Sequence, residues 1–221
     1  MKEIFQIVDA DKNSTQASFR NIATQLMNNY KLQVADKFYR VIECEFYYHS
    51  SNHPDPYVHG HSRQKETIGE WYFHGSGLDI TLSTSNGYGG ILIRGIAEVN
   101  KDSIIPVKEN AVIGPLNVCT AIFASIGTVL ADKYIEFGFH DISKDPQGAL
   151  MKTARVFQVP RIGLNASKDN DEAFVERPYR FISFLHLPHR ETERIKTFLT
   201  TGENKQLDIE QYNSLKNPKD I

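Results

Sequence analysis

The stretch Arg40-Val41-Ile42-Glu43-Cys44-Glu45-Phe46-Tyr47 constrains this chain most, because it sets two carboxylates in the middle of an otherwise apolar strand. Strand side chains alternate between faces, so Glu43, Glu45 and Tyr47 are expected on one face and Ile42, Cys44 and Phe46 on the other. A carboxylate is seldom buried unless it is paired, hydrogen-bonded or used. An acid between Cys44 and Phe46 therefore marks a cleft or a polar network, and the plain alternative is an edge strand with one solvated face.

The loop that follows, residues 48–62, carries His49, His53, His59 and His61, half of the eight histidines, with Pro54, Asp55 and Pro56 stiffening it. His59-Gly60-His61 could present two rings to one metal, with Asp55 or Glu45 completing the set, although the spacing matches no specific ligand signature. Loop histidines more often bond to carboxylates or stay solvated.

At 221 residues the chain suffices for one sizeable core, and no linker-like stretch divides it, so one domain is expected over residues 1–221, with residues 200–221 polar and either helical or frayed. The formal net charge of -2 excludes a protein that coats nucleic acid through bulk charge and leaves room for a local basic patch. Two isolated cysteines, Cys44 and Cys119, read as buried thiols of a reducing compartment. No apolar run approaches membrane-spanning length and the start lacks a secretion signal's apolar region, so a cytoplasmic location is expected.

Ser14 or Thr15 is placed to cap a helix bearing Phe19, Ile22, Ala23, Leu26 and Tyr30 at helical spacing. Glu70-Trp71-Tyr72-Phe73 and residues 78–84 flank His74-Gly75-Ser76-Gly77 and read as a hairpin, with Asp79 opposite the aromatic triplet. Ile91-Leu92-Ile93-Arg94-Gly95-Ile96 is an apolar strand with a single charge, and a buried Arg94 needs an anion, the nearest candidates being the acids of the first strand. Gly114-Pro115 opens an apolar helix reaching Leu130, residues 134–139, 155–164 and 179–185 have strand content, and Thr192 to Thr200 forms a short helix. Several antiparallel strands with three or four helices make the fold class α+β around a curved, mostly antiparallel sheet.

The order of these landmarks resembles the alkyladenine (methylpurine) DNA glycosylase family, base-excision repair enzymes that cleave the bond between a damaged purine and deoxyribose. Carrying the resemblance are Glu43-Cys44-Glu45-Phe46-Tyr47, His59 after Asp55, the hairpin from Trp71 to Asp79, the strand from Ile91 to Glu98, Gly114-Pro115 with Cys119-Thr120-Ala121, Ala154-Arg155, Arg161-Ile162-Gly163 and Arg177-Pro178-Tyr179-Arg180-Phe181. It spans about residues 22–184.

The resemblance implies a DNA-binding hydrolase without a cofactor or metal. In it Glu45 activates water, Arg94 holds Glu45 and that water, Tyr47 and His59 stack on a flipped base, and the Ile162 carbonyl contacts the water. Trp71, Phe73 and Asp79 would complete the base site. Arg63, Lys65, Arg155, Arg161, Arg177 and Arg180 offer a local phosphate track. The chemistry fits these residue types, since a carboxylate can take a proton from water and stabilise the cationic sugar that develops.

The glycine-rich hairpin tip departs from the family, whose longer hairpin carries a bulky side chain that fills the gap left by the flipped nucleotide; a preference for single-stranded or mismatched DNA follows. Two other readings use the same residues: a binding module that keeps a nucleobase pocket without catalysis, and a metal-dependent hydrolase built on His53, Asp55, His59 and His61.

Overall fold

A computed structural model of the chain describes residues 2–100, 106–126, 134–142, 154–168 and 173–218. The strand carrying the two acids, β2 (Lys37–Ser50), runs through the middle of the sheet. Along one edge it pairs antiparallel with β5 (Gly87–Val99). Its other edge is shared, β1 (Tyr30–Val34) pairing with its start and β9 (Arg180–Ser183) with Glu43, Cys44 and Glu45.

From β5 the sheet continues to β4 (Gly77–Leu82) and β3 (Ile68–His74), and from β1 to β7 (Phe137–Asp141). The short β6 (Ala111–Ile113) extends β5, and β8 (Val156–Val159) pairs with β9. Every pairing is antiparallel, and the sheet curls into a half-barrel with helices on its flanks. The molecule is thus a single-domain α+β fold, as the sequence pattern indicates.

Two irregularities in the β2–β5 ladder change the alternation expected from sequence. Val41 faces Ile96 and Glu43 faces Gly95, which leaves Ile42 without a cross-strand partner. Cys44 then faces Ile93, which leaves Arg94 as the extra residue of β5. A bulge shifts the phase of a strand. Ile42 accordingly joins a small cluster with Ala97 and Leu187, while Tyr39 and Val41 enter the main core with Cys44, Phe46 and Tyr48. The expected grouping of Ile42 with Cys44 and Phe46 is corrected by this bulge.

Helix α1 (Lys12–Asn29) starts one residue after Asp11, whose carboxylate accepts the Ser14 N–H at 2.7 Å while Ser14 Oγ accepts the Asp11 N–H at 2.9 Å. The capping residue is therefore Asp11, not Ser14 or Thr15, and this reciprocal pair satisfies two of the free donors at the helix start. Phe19, Ile22, Ala23 and Leu26 are fully buried, and the Phe19 ring stacks on Phe46 at 4.7 Å.

Helix α2 (Ser62–Glu66) is a single turn absent from the sequence reading. Helix α3 (Pro115–Ile126) buries Val118, Cys119 and Ile122; the expected extension to Leu130 lies outside the described residues. The strand expected over 155–164 is only four residues long, because from Pro160 the chain turns inward to deliver Arg161 and Ile162.

Helix α4 (Thr192–Thr200) has the bounds read from sequence. Helix α5 (Ile209–Lys216), capped by Asp208, answers the alternatives for the C-terminal segment in favour of a helix. Ile195, Leu199, Leu207 and Tyr212 pack on Phe157, Val159 and Ile182 as a second core.

Candidate functional site

Glu45 is fully buried and does not itself line the neighbouring cleft, but three groups that bond to it, from Tyr47, Arg94 and Ile162, belong to residues that do. Its Oε2 accepts the Tyr47 hydroxyl at 2.8 Å and Arg94 Nη1 at 3.2 Å, and its Oε1 accepts the Ile162 backbone N–H at 2.8 Å. The bulge at Arg94 aims that guanidinium across β2, so the pair expected from sequence is present. Burial raises the Glu45 carboxyl above the ordinary carboxylate range, against the opposing pull of Arg94, the Ile162 N–H and the Tyr47 hydroxyl. The Tyr47 phenol is pushed well up, first by burial and then by the Glu45 charge.

Glu43 is likewise fully buried. Its Oε1 accepts Arg94 Nε at 3.1 Å and Arg180 Nε at 3.0 Å, and its Oε2 meets His189 Nδ1 at 3.2 Å. Burial alone would raise its carboxyl, but His189 and Arg180 outweigh that effect and hold it down at about 2. Arg94 thus bridges both acids through different nitrogens.

The cleft encloses about 550 Å³. Tyr47, Tyr57 and His59 form one part of its wall, Asp79, His74, Leu92 and Arg94 another, and Asn165 and Lys168 stand among the residues that line it. The Tyr47 ring is supported from behind by Arg161, whose guanidinium carbon sits 4.6 Å from the ring centroid. A ring backed this way is a rigid wall for a planar ligand.

Asp79 is 3% exposed; its Oδ2 accepts Gln64 Nε2 at 3.0 Å, and Gly90 makes room for that bond because a Cβ there would come within 2.7 Å of Oδ2. Its Oδ1 comes within 3.1 Å of His74 Nε2, without the alignment of a hydrogen bond.

Arg94, Tyr47, His59, Asp79 and Ile162 all line the cleft, and Glu45 is joined to it through Tyr47, Arg94 and the Ile162 backbone N–H. Trp71 and Phe73 are not part of the cleft. Trp71 stacks on Phe137 at 4.7 Å and Phe73 on Phe123 at 5.2 Å, on the opposite face of β3 from Tyr72 and His74. Alternation along one strand forbids the whole triplet from facing one way. Tyr72 pairs across from Asp79 and lies between His61 and His74, at ring distances of 4.7 and 5.0 Å. Opposing Asp79 to the triplet by register would have singled out Tyr72 and its neighbour His74.

The phosphate track also needs correction. Arg180 is buried on Glu43, and Arg161 is buried with both terminal nitrogens on Asp55, Nη1 at 2.6 Å and Nη2 at 3.2 Å. Neither is available to DNA. Arg177 stacks over Phe174 and borders a groove with Asp11, Lys12 and Asn52 instead of the cleft, and Arg155 reaches the Gln206 carbonyl at 2.7 Å. Arg63 is exposed and paired with Glu70 at 3.1 Å, and Lys65 lies over the Tyr88 ring. Lys168, which the sequence reading passed over, is the exposed cation that lines the cleft.

The loop histidines have separate duties. His53 is buried between the Tyr48 carbonyl and the Tyr179 hydroxyl, His61 caps α2 through the Arg63 N–H, and His49 Nδ1 lies 3.2 Å from the Asp55 carbonyl. Among the described residues no three His, Cys, Asp or Glu side chains gather as a metal site. The metal-hydrolase reading thus loses its ligand set within the described chain.

Fold and site together define a single-domain α+β protein with a buried carboxylate–arginine centre under an aromatic and histidine-lined cleft. No family model matches the chain. It is similar to an uncharacterized protein of Acanthamoeba polyphaga mimivirus, with 26% identity over 196 residues, covering 75% of this chain and 86% of the viral protein. Among the described residues no helix is long and apolar enough to cross a membrane.

Proposed function

We propose that the protein is an N-glycosidic hydrolase that holds a purine in the cleft and uses Glu45 to activate water, a divergent counterpart of the alkyladenine DNA glycosylases its sequence resembles. The observation that carries this reading is that Tyr47, Arg94 and Ile162, drawn from three distant parts of the chain, all line one cleft and all bond to the buried Glu45 carboxylate next to it. A carboxylate kept from water with a raised pKa is a stronger base than an exposed one, and it faces the developing sugar cation without solvent screening. Tyr47, with a cation behind its ring, and the His59 and His74 edges supply stacking and polar contacts for a flat heterocycle. The buried free thiols Cys44 and Cys119 fit a cytoplasmic setting.

A second reading, a nucleobase-binding protein without catalysis, draws on one specific observation: both Glu45 oxygens already accept hydrogen bonds, three in all. For hydrolysis a water must use the acceptor position left on Oε1, which takes only the Ile162 N–H, or displace the Tyr47 hydroxyl from Oε2. Incubation with DNA carrying methylated purines, with chromatographic detection of free base, separates the two. Glu45→Gln keeps the side chain's shape but cannot take a proton, so release should fall by at least about 100-fold while binding persists. Bound but intact substrate with the wild type would establish the binding module.

A further inference from the structure

His189 lies just before α4 and is buried against Glu43. Its ring is bounded by oxygen on both sides. Nδ1 is 3.2 Å from Glu43 Oε2, and Nε2 is 3.1 Å from the Ser183 carbonyl and 3.4 Å from that of Phe184. Phe184, with φ of 54°, takes the left-handed conformation just where its carbonyl approaches the ring. A neutral imidazole has one N–H and one lone pair, so either tautomer would point a lone pair at an oxygen. Only the doubly protonated ring donates on both sides.

We propose that His189 is held as an imidazolium and is a positioning residue for Glu45, acting through Glu43 and Arg94. This inference deepens the proposed function, since it concerns the same site. Arg94 is shared, Nε to Glu43 and Nη1 to Glu45, so the attraction of Glu43 competes with that of Glu45 for one guanidinium. Arg180 Nε and His189 Nδ1 supply Glu43 with two further cations and leave Arg94 Nη1 to Glu45. The centre then contains two carboxylates and three cations.

The charged and titratable groups around this contact are Glu43 from β2, which meets the ring, Arg94 from β5 and Arg180 from β9, which share the Glu43 carboxylate, and His186 and Arg190 near it in the chain. Lys216 of α5 reaches the Leu187 carbonyl of the same loop. His186 is made less basic, first by its own burial and also by His189 and Lys216.

The test needs no substrate. In protein labelled with nitrogen-15 at histidine, both His189 ring nitrogens should resonate at imidazolium positions at neutral pH. A split into one protonated and one bare nitrogen would overturn the assignment. For the positioning role, the Glu45 carboxyl is followed by carbon-13 through a pH titration in wild type, His189→Gln and His189→Lys. Loss of the cation should move the Glu45 midpoint upward in the Gln variant and the Lys variant should return it toward wild type. An unmoved midpoint in the Gln variant refutes the coupling. Should that variant not fold, the wild-type nitrogen spectrum and the Lys variant still decide. Base release is a separate readout: a protein that fails to release base but shows these resonances retires the hydrolase reading and keeps this one.

Discussion

At the scale of single residues, the centre depends on pairs that cannot be taken apart singly. Arg94 is 7% exposed and serves two buried acids, so Arg94→Ala strands a carboxylate at Glu45 that only Tyr47 and the Ile162 N–H still contact. We expect a loss of about 3 to 5 kcal/mol in chemical denaturation, the usual consequence of leaving a buried charge without its partner. An unchanged denaturation midpoint would mean that the acids are hydrated. The pairing of Glu45 with Arg94 was legible in the sequence, because two acids on one strand and one cation on another apolar strand have few alternatives. The roles of Arg161, Arg180 and His189 were not. Their partners, Asp55 and Glu43, lie 106 residues from Arg161 and 137 and 146 residues from Arg180 and His189, and a cation beside a proline and aromatics in sequence looks the same whether it faces solvent or a buried acid.

At the scale of elements, the hairpin β3–β4 limits what the cleft can accept. Its turn is made by Gly75 and Ser76, and a Cβ at Gly75 would meet nothing within 4 Å, so the tip offers no side chain able to replace an extruded base. Gly77 cannot be enlarged instead: its φ is 149° and a Cβ would sit 2.8 Å from Pro115. If DNA is the substrate, binding and single-turnover release should favour single-stranded or mismatched lesions over the same lesion in a paired duplex, since unpairing costs a few kcal/mol. Ser76→Tyr should narrow that preference, because Ser76 lines the cleft. Faster release from intact duplex by the wild type would assign the wedge to another element. Strand and helix identities followed from period and composition, as for β2 and α4. The two bulges did not, because a bulge exists only relative to a partner strand, and α2 did not, because a five-residue polar turn carries no apolar period.

At the scale of the whole molecule, the buried ionic centre makes stability depend on acid. Glu43 is held at about 2 in the fold against an ordinary 4.5, so its ionised form is favoured by folding. That contribution is complete above pH 4.5 and is lost as pH falls toward 2, on the order of 3 kcal/mol in all. Glu45, whose carboxyl is raised, acts in the opposite sense, so its protonation on acidification offsets part of the loss. Urea midpoints measured from pH 6 to pH 3 should fall in wild type and flatten in Glu43→Gln; parallel curves would remove Glu43 as the source. The fold class could be read from the chain because alternation is local, whereas the second edge of β2 is supplied by β9 from far downstream. That arrangement also sets a schedule for synthesis. Until β9 and His189 have left the ribosome, the middle of β2 has an open edge and Glu43 lacks two of its three cations. The nascent chain therefore carries Glu43 and Glu45 on an unfinished seam open to solvent, and stop codons placed between residues 160 and 189 should yield products recognised by chaperones and proteases rather than shortened, folded domains.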